Sequence, residues 1–171
     1  MPGLMWLSGP DYESAPLCLT FVHGAEEHVV FAGFGADPAE AVPARLDEGL
    51  PWPEAEPVVR VARSGKWLIA IESTIPPRGT RPEVLRRLSA GGDAVALYQD
   101  IGEGDHEFAY AADGDVVCGV VTTEPPDWHG SNPEPFAVRG RELGLDGDRG
   151  DDDLTDWEVL LTLAGEVRPV V

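Results

Sequence analysis

Histidines and carboxylates are the side chains of this sequence whose types could support acid–base chemistry or metal binding. The chain has four histidines, and two of them, His23 and His28, flank the pair Glu26-Glu27. A zinc-peptidase motif needs two histidines four positions apart on a helix, and a spacing of five turns the second imidazole away from the first. The sequence contains no phosphate-binding glycine loop and no nucleophile elbow. We therefore expect no metal site and no cofactor.

Another histidine lies within the acidic run Asp105-His106-Glu107. On a strand, the two carboxylates would face one side and the imidazole the other, so the three groups would not converge. Neighbouring carboxylates stabilise an imidazolium, so the sequence predicts a raised pKa for His106 and a pH-sensitive group. The run is more typical of a solvated loop than of a catalytic centre.

The charge of the chain is strongly segregated along the sequence. Residues 88–138 contain ten carboxylates and no Lys or Arg, whereas residues 60–87 contain seven basic residues and two glutamates. The formal net charge is −19, and the sequence pI is about 4.3. Such a field steers basic partners towards a protein and repels polyanions. The composition therefore favours a basic protein partner and disfavours nucleic acid and anionic membrane surfaces.

The acidic stretch also contains the best candidates for a partner-binding surface. Trp128 lies in a Pro-rich loop, and an exposed Trp in a constrained loop is a common anchor of protein interfaces. The alternative, which burial statistics favour, is that Trp128 folds back as a lid on the core. The predicted partner-binding residues are Asp100, Glu103, Asp105, His106, Glu107, Asp127 and Trp128.

The elements that must position these residues begin with six short segments in which apolar and polar residues tend to alternate, as in strands. Asp113-Gly114 separates the last two and is a favoured type I′ hairpin pair, because both central residues need positive φ. Ser64-Gly65 is expected to connect an earlier pair. The predicted strands are 17–22, 58–63, 66–72, 94–99, 107–111 and 116–121.

Helix starts are marked by capping residues. Thr80 and Thr155 each precede a Glu by three positions, as in a capping box. Asp37-Pro38 places a proline at a first helical position, where its missing N–H costs nothing. A weaker helix is predicted at residues 136–143.

Strands in the middle of the chain with helices outside them predict an α+β fold. We expect an antiparallel sheet of five or six strands with helices mainly on one face. At 171 residues the chain fits a single domain, 1–171, with a core at 11–165 and a flexible acidic loop at 144–155.

The order of several segments resembles that of a known family. The segments are Cys18-Leu-Thr-Phe-Val-His23, Gly35-Ala-Asp-Pro38, Gly65-Lys-Trp-Leu-Ile-Ala-Ile-Glu72, a helix with Leu85 and Leu88, Ala94-Val-Ala-Leu-Tyr98, Phe108-Ala-Tyr-Ala-Ala-Asp-Gly114 and Leu143-Gly-Leu145. Over residues 11–165 this order is similar to a family of small proteins of unknown function from Streptomyces and related actinobacteria. The resemblance implies a shared fold and no particular activity, cofactor or catalytic residue. That family has a helix after its first strand, whereas the Val and Phe content of residues 26–34 favours a strand in this chain.

The sequence thus predicts a cytosolic, acidic protein-binding module, one that neutralises a basic partner as an immunity protein or antitoxin does. The cytoplasm is expected because the N-terminal residues lack a basic signal region and no apolar run approaches the roughly 20 residues that span a bilayer. Two alternatives stay open. One is an enzyme with a dispersed active site, metal-assisted through His23, His28 or His106; the other is a structural subunit whose acidity only keeps it soluble.

Overall fold

A seven-stranded antiparallel sheet organises the structure, a computed structural model that describes residues 4, 16–43, 58–72, 74–100, 102, 104–147 and 154–167. The strands are β1 (Leu17–His23), β2 (Val59–Ser64), β3 (Trp67–Glu72), β4 (Asp93–Gln99), β5 (Glu107–Ala112), β6 (Asp115–Val121) and β7 (Asp127–His129). Their order in the sheet is β2-β3-β1-β4-β5-β6-β7.

The α+β class is confirmed, but the sheet has seven strands rather than the five or six expected. All six predicted segments form strands. The additional strand, β7, has three residues and pairs with the end of β6. Three residues are too few to show a period of two, so the Pro-rich segment around β7 was interpreted as a loop.

The hairpin between β5 and β6 has the predicted geometry. Asp113 has φ 49° and Gly114 has φ 81°, the positive values that a type I′ turn requires. The β2–β3 turn lies one residue later than expected, at Gly65-Lys66, since Ser64 pairs with Trp67. Local turn chemistry therefore located both hairpins and the exact register of one.

Helices cover both faces of the sheet, which corrects the expectation that they lie mainly on one. They are α1 (Glu27–Gly33), α2 (Pro82–Leu88), α3 (Glu134–Glu142) and α4 (Asp156–Val167). Val95 and Leu97 of β4 pack in the cluster formed with α4, whereas Ala94 and Ala96 pack in the cluster formed with α1 and α2. A strand that is apolar on both faces needs cover on both faces. Leu4, only 1% exposed, packs on the α4 side.

The predicted core of the β2–β3 hairpin is only partly buried. Trp67 is buried, as are Val95 and Leu97 in β4, but the side chains of Val59, Val61, Ile69 and Ile71 are half-buried. The opposite face of β3, with Leu68 and Ala70, is the more buried one. The hairpin lies towards one edge of the sheet, where the helical layers give less cover.

Residues 27–33 form the helix α1, not the strand that their composition favoured. Val30 and Phe34, four positions apart, both pack against α2 and the sheet, so tertiary packing outweighs the β preference of the local residues. None of the helices among the described residues is long and apolar enough to cross a membrane.

The predicted helix starts have different outcomes. Asp37 caps a short 3₁₀ helix, Pro38–Glu40, by accepting from the Ala39 N–H at 2.9 Å. At Thr80 the capping box does not form, because α2 begins after Arg81 without a side-chain cap.

The capping box at Thr155 does form. The Glu158 N–H donates to the Thr155 hydroxyl at 3.3 Å, and the Thr155 N–H donates to the Glu158 carboxylate at 2.8 Å. Of the predicted acidic loop, residues 148–153 lie outside the described residues.

Replacing Thr155 with alanine is expected to lower the free energy of unfolding by about 1 kcal/mol, the usual cost of a lost N-cap. The alanine variant removes the hydroxyl that accepts from the Glu158 N–H and donates to the Glu158 carboxylate, whereas the backbone N–H of residue 155 still donates to that carboxylate. Urea unfolding followed by circular dichroism measures the loss, and Thr155→Ser, which keeps the hydroxyl, is the matched control. Equal stabilities of the two variants would contradict the role of the cap.

Candidate functional site

One end of the sheet collects the carboxylates of the acidic stretch. Because neighbouring strands are antiparallel, β4 and β6 end there, and β5 and β7 begin there. The connections that follow β4 and β6 are therefore adjacent, although they are about 20 residues apart in the sequence. We call the group Asp100, Asp105, Glu107 and Asp127 the acidic end.

Two carboxylates of the acidic end point to the same side of the sheet. Glu107 pairs with Val121, and Val121 pairs with Asp127, so Glu107 and Asp127 share a face two strand spacings, or about 10 Å, apart. Glu107 is half-buried and Asp127 is exposed. This alignment results from strand register and cannot be inferred from sequence spacing alone.

Three carboxylates of the acidic end have no cationic partner among the described residues. Within the part of the chain that the structure describes, Asp105, Glu107 and Asp127 form no salt bridge. Asp100 accepts a hydrogen bond from the Gly102 N–H at 2.7 Å. The predicted site residue Glu103 lies outside the described residues. The acidic end therefore presents net negative charge in which two uncompensated carboxylates, Asp105 and Glu107, are half-buried.

A basic side chain at this end of the sheet, Arg78, is already engaged. Its guanidinium contacts the Glu72 carboxylate at 3.3 Å and donates to the Phe34 carbonyl at 2.6 Å. Glu72 also accepts from the backbone N–H groups of Arg78 and Gly79 at 2.5 and 2.7 Å. Because Glu72 is only 1% exposed, this cluster, which we call the Glu72 clamp, secures the segment after β3 rather than offering a reactive group.

His106 lies beneath the acidic end and does not have the raised pKa that its carboxylate neighbours suggested. Burial lowers its pKa below 6.5, and this effect outweighs the opposing influence of Asp156, Asp100 and Asp105. The ring packs against Trp157 with a centroid distance of 5.7 Å. The burial comes from α4, which packs on the sheet from a distant part of the sequence.

Trp128 is half-buried and packs on the protein. Its ring lies over Gly140 of α3, where an added Cβ would be 2.8 Å from Cζ2, and the residue packs against the core cluster on the α4 side. The indole N–H is buried and has no hydrogen-bond partner among the described residues. This geometry matches the lid on the core.

A row of four residues crosses the sheet, and each of them is the register partner of the next. In order along the row they are Glu72, Cys18, Tyr98 and Glu107. Burial, then the charges of Asp100 and Glu107, raises the pKa of Tyr98 to about 12. The thiol pKa of Cys18 is likewise raised, first by burial. Cys118 is also buried, with its pKa raised to about 12. Both cysteines are free and inert, as expected of small apolar side chains, so this row supplies no nucleophile.

A polar cluster that the sequence did not reveal lies at the opposite end of the sheet. The Tyr110 hydroxyl donates to Asp93 at 2.9 Å, and Nδ1 of His23 is 3.8 Å from the other carboxylate oxygen of Asp93. His23 and Asp93 are register partners on β1 and β4. This cluster could have been predicted only with knowledge of the strand register, which the sequence does not provide. His28 takes no part in it, and no group of three metal-ligating side chains occurs among the described residues.

A cleft of about 290 Å³ between α3 and α4 is lined by Phe136, Leu163 and Val167, with Arg139 and Glu166 among its polar lining residues. The Arg139 guanidinium binds the Glu166 carboxylate at 2.8 Å and Glu142 at 3.1 Å, and these bonds raise the pKa of Arg139. The cleft is at the lower limit of ligand pockets in size, and its one cation is paired. It serves as the contact between two helices.

Comparison with known proteins identifies a family. A model described as a family of unknown function, DUF6461, matches residues 5–167. No curated protein and no solved structure matches the chain. The resemblance to a family of unknown function is thus confirmed over most of the sequence, and the family description names no activity. The chain belongs to the family of unknown function DUF6461.

Proposed function

We propose that the protein is a binding module for a basic protein and that its acidic end is the contact surface. One observation carries the proposal: strand register brings Glu107 and Asp127 to one face of the sheet from separate strands, and neither these two nor the neighbouring Asp105 forms a salt bridge among the described residues. Partly buried carboxylates lose hydration without gaining a counter-charge, so a cationic partner would be attracted to them.

The chemical class of the partner follows from charge. A net charge of −19 repels nucleic acid and anionic lipid, whereas clustered Lys or Arg side chains on a protein fit carboxylates about 10 Å apart. Neutralisation of a toxic basic protein, in the manner of an immunity protein or antitoxin, is the biological role that we propose.

The proposed setting is the actinobacterial cytoplasm. Eleven Arg against one Lys in the sequence are typical of a GC-rich genome and support the actinobacterial origin. Two free buried cysteines are compatible with a reducing compartment and support the cytoplasm.

Neutralising two carboxylates of the acidic end is expected to slow association with a cationic probe about three- to tenfold at low salt, because exposed charges steer encounters. The effect should shrink at physiological salt, where charges are screened beyond a Debye length of about 8 Å. The variant is Glu107→Gln with Asp127→Asn, and the probe is a ten-residue arginine peptide. Stopped-flow or biolayer measurements at two ionic strengths give the rate constants.

The matched control removes the same charge elsewhere. Glu26 and Glu40 are exposed, form no salt bridge among the described residues and lie on the α1 side, so Glu26→Gln with Glu40→Gln should change the rate much less. Equal slowing by both double variants would mean a diffuse charge that serves solubility, and would contradict the proposal.

The cluster of His23, Asp93 and Tyr110 favours a second candidate, an enzyme that uses an exposed imidazole held by a carboxylate. His23 is 40% exposed in its side chain, and its ring lies 5.1 Å from that of Trp67. A carboxylate beside Nδ1 orients an imidazole for proton transfer through its other nitrogen. If Asp93→Asn abolished an enzymatic turnover of the protein and left peptide binding unchanged, the function would lie at this cluster and not at the acidic end.

A further inference from the structure

His106 occupies a position from which it can control the acidic end. Its backbone is fixed, since its N–H donates to the Thr122 hydroxyl at 2.8 Å and its carbonyl accepts from the Thr122 N–H at 2.9 Å. Only the side chain is therefore free to respond to protonation. The charges of three carboxylates act on the imidazole: Asp156 at the start of α4, Asp100 just after β4, and Asp105 beside it in sequence.

The present ring position suits a neutral imidazole. The ring packs against Trp157, and Nδ1 is buried without a hydrogen-bond partner among the described residues. A proton on that nitrogen would be a buried charge without an acceptor, which is strongly unfavourable. Rotation of the side chain towards Asp100 or Asp105 would relieve it, because a carboxylate accepts from an imidazolium.

We propose that His106 is a built-in competitor of the basic partner: protonated, it pairs with carboxylates of the acidic end and weakens partner binding. The inference rests on the proposed function and adds its regulation by pH. The imidazole takes its proton from solvent, and the negative charge available to the partner falls by one.

The direction of the effect follows from the lowered pKa of His106. The imidazole is neutral at pH 7.5, so binding is undisturbed there. Below the ordinary histidine pKa of about 6.5 the unfolded chain takes up a proton before the folded protein does, so the free energy of unfolding falls as the pH decreases. In the folded protein, His106 becomes protonated and competes with the partner only when the pH falls through its own, lower pKa.

The experiment measures the affinity of the ten-residue arginine peptide between pH 7.5 and 5.0 for the wild type, His106→Gln and His28→Gln. His28 is exposed on α1 and is the matched control. We expect the wild type and His28→Gln to lose affinity about fivefold or more, and His106→Gln to lose about twofold or less. If the Gln variant unfolds, His106→Phe keeps a ring against Trp157 and cannot take a proton.

Titration of the His106 ring by NMR provides a second readout in the wild type. Binding and protonation that oppose each other must do so reciprocally, so saturating peptide should lower the His106 pKa further. A peptide that binds with the same pH profile to the wild type and to His106→Gln would overturn this inference and leave the proposed function standing. A wild type that binds no peptide at pH 7.5 would overturn both.

Discussion

Replacing Glu72 with alanine is expected to lower the free energy of unfolding by about 3–5 kcal/mol, because it leaves a partly buried cation without its counter-charge and two backbone donors without their acceptor. Two backbone N–H groups and the guanidinium of Arg78 donate to this one carboxylate. The segment packs closely around the clamp, since a Cβ at Gly79 would lie 2.9 Å from the Cys18 sulfur. Loss of the clamp should release the segment that joins β3 to α2.

Chemical denaturation compares this variant with two others. Glu72→Gln keeps an acceptor for the N–H groups and loses only the charge, so it should cost about 1–2 kcal/mol. Glu83→Ala removes an exposed glutamate of α2 and should change stability by about 0.5 kcal/mol or less. A Glu72→Ala variant as stable as Glu83→Ala would show that the clamp does not secure this segment.

Replacing Trp128 with alanine is expected to cost about 2–4 kcal/mol of folding stability, since it removes a large, partly buried ring from the core. The ring fills the space above Gly140, which has no side chain to replace it. Thermal and urea unfolding measure the loss, and Trp128→Phe should retain part of the stability.

The same variant separates the two interpretations of Trp128. An interface anchor would leave unfolding unchanged on truncation and raise the dissociation rate of the arginine peptide. Truncating a lid on the core would instead lower the stability and leave the dissociation rate of the peptide unchanged, when that rate is measured at a low temperature where the variant is folded. The burial of its indole N–H predicts the second outcome.

Features that depend on neighbouring residues were predictable from the sequence. The hairpin at Asp113-Gly114 and the cap at Thr155 each rest on a few adjacent residues with a strong conformational preference. The cap at Thr80 failed although its sequence pattern is the same, because α2 starts one residue later than predicted, with Arg81 as its N-cap and Pro82 at its first position. A local pattern therefore locates a helix start to within a turn.

Features that depend on distant contacts were not predictable. The helix α1 forms because Val30 and Phe34 find an apolar surface on α2 and the sheet, against the strand preference of their segment. The missed strand β7 exists because β6 offers it a pairing edge. The pKa of His106 is lowered, not raised, because α4 brings Trp157 over the ring and removes water from it.

The sequence by itself determined the α+β class, six of the seven strands and the segregation of charge, because periodicity, turn residues and composition are properties of short stretches of chain. Only the tertiary structure decided which charges meet. Strand register aligned Glu107 with Asp127 and brought His23, but not His28, to Asp93. The packing of α3 on one face of the sheet partly covered Trp128. These outcomes depend on long-range pairing, and a shift of register by one residue would turn each side chain to the opposite face.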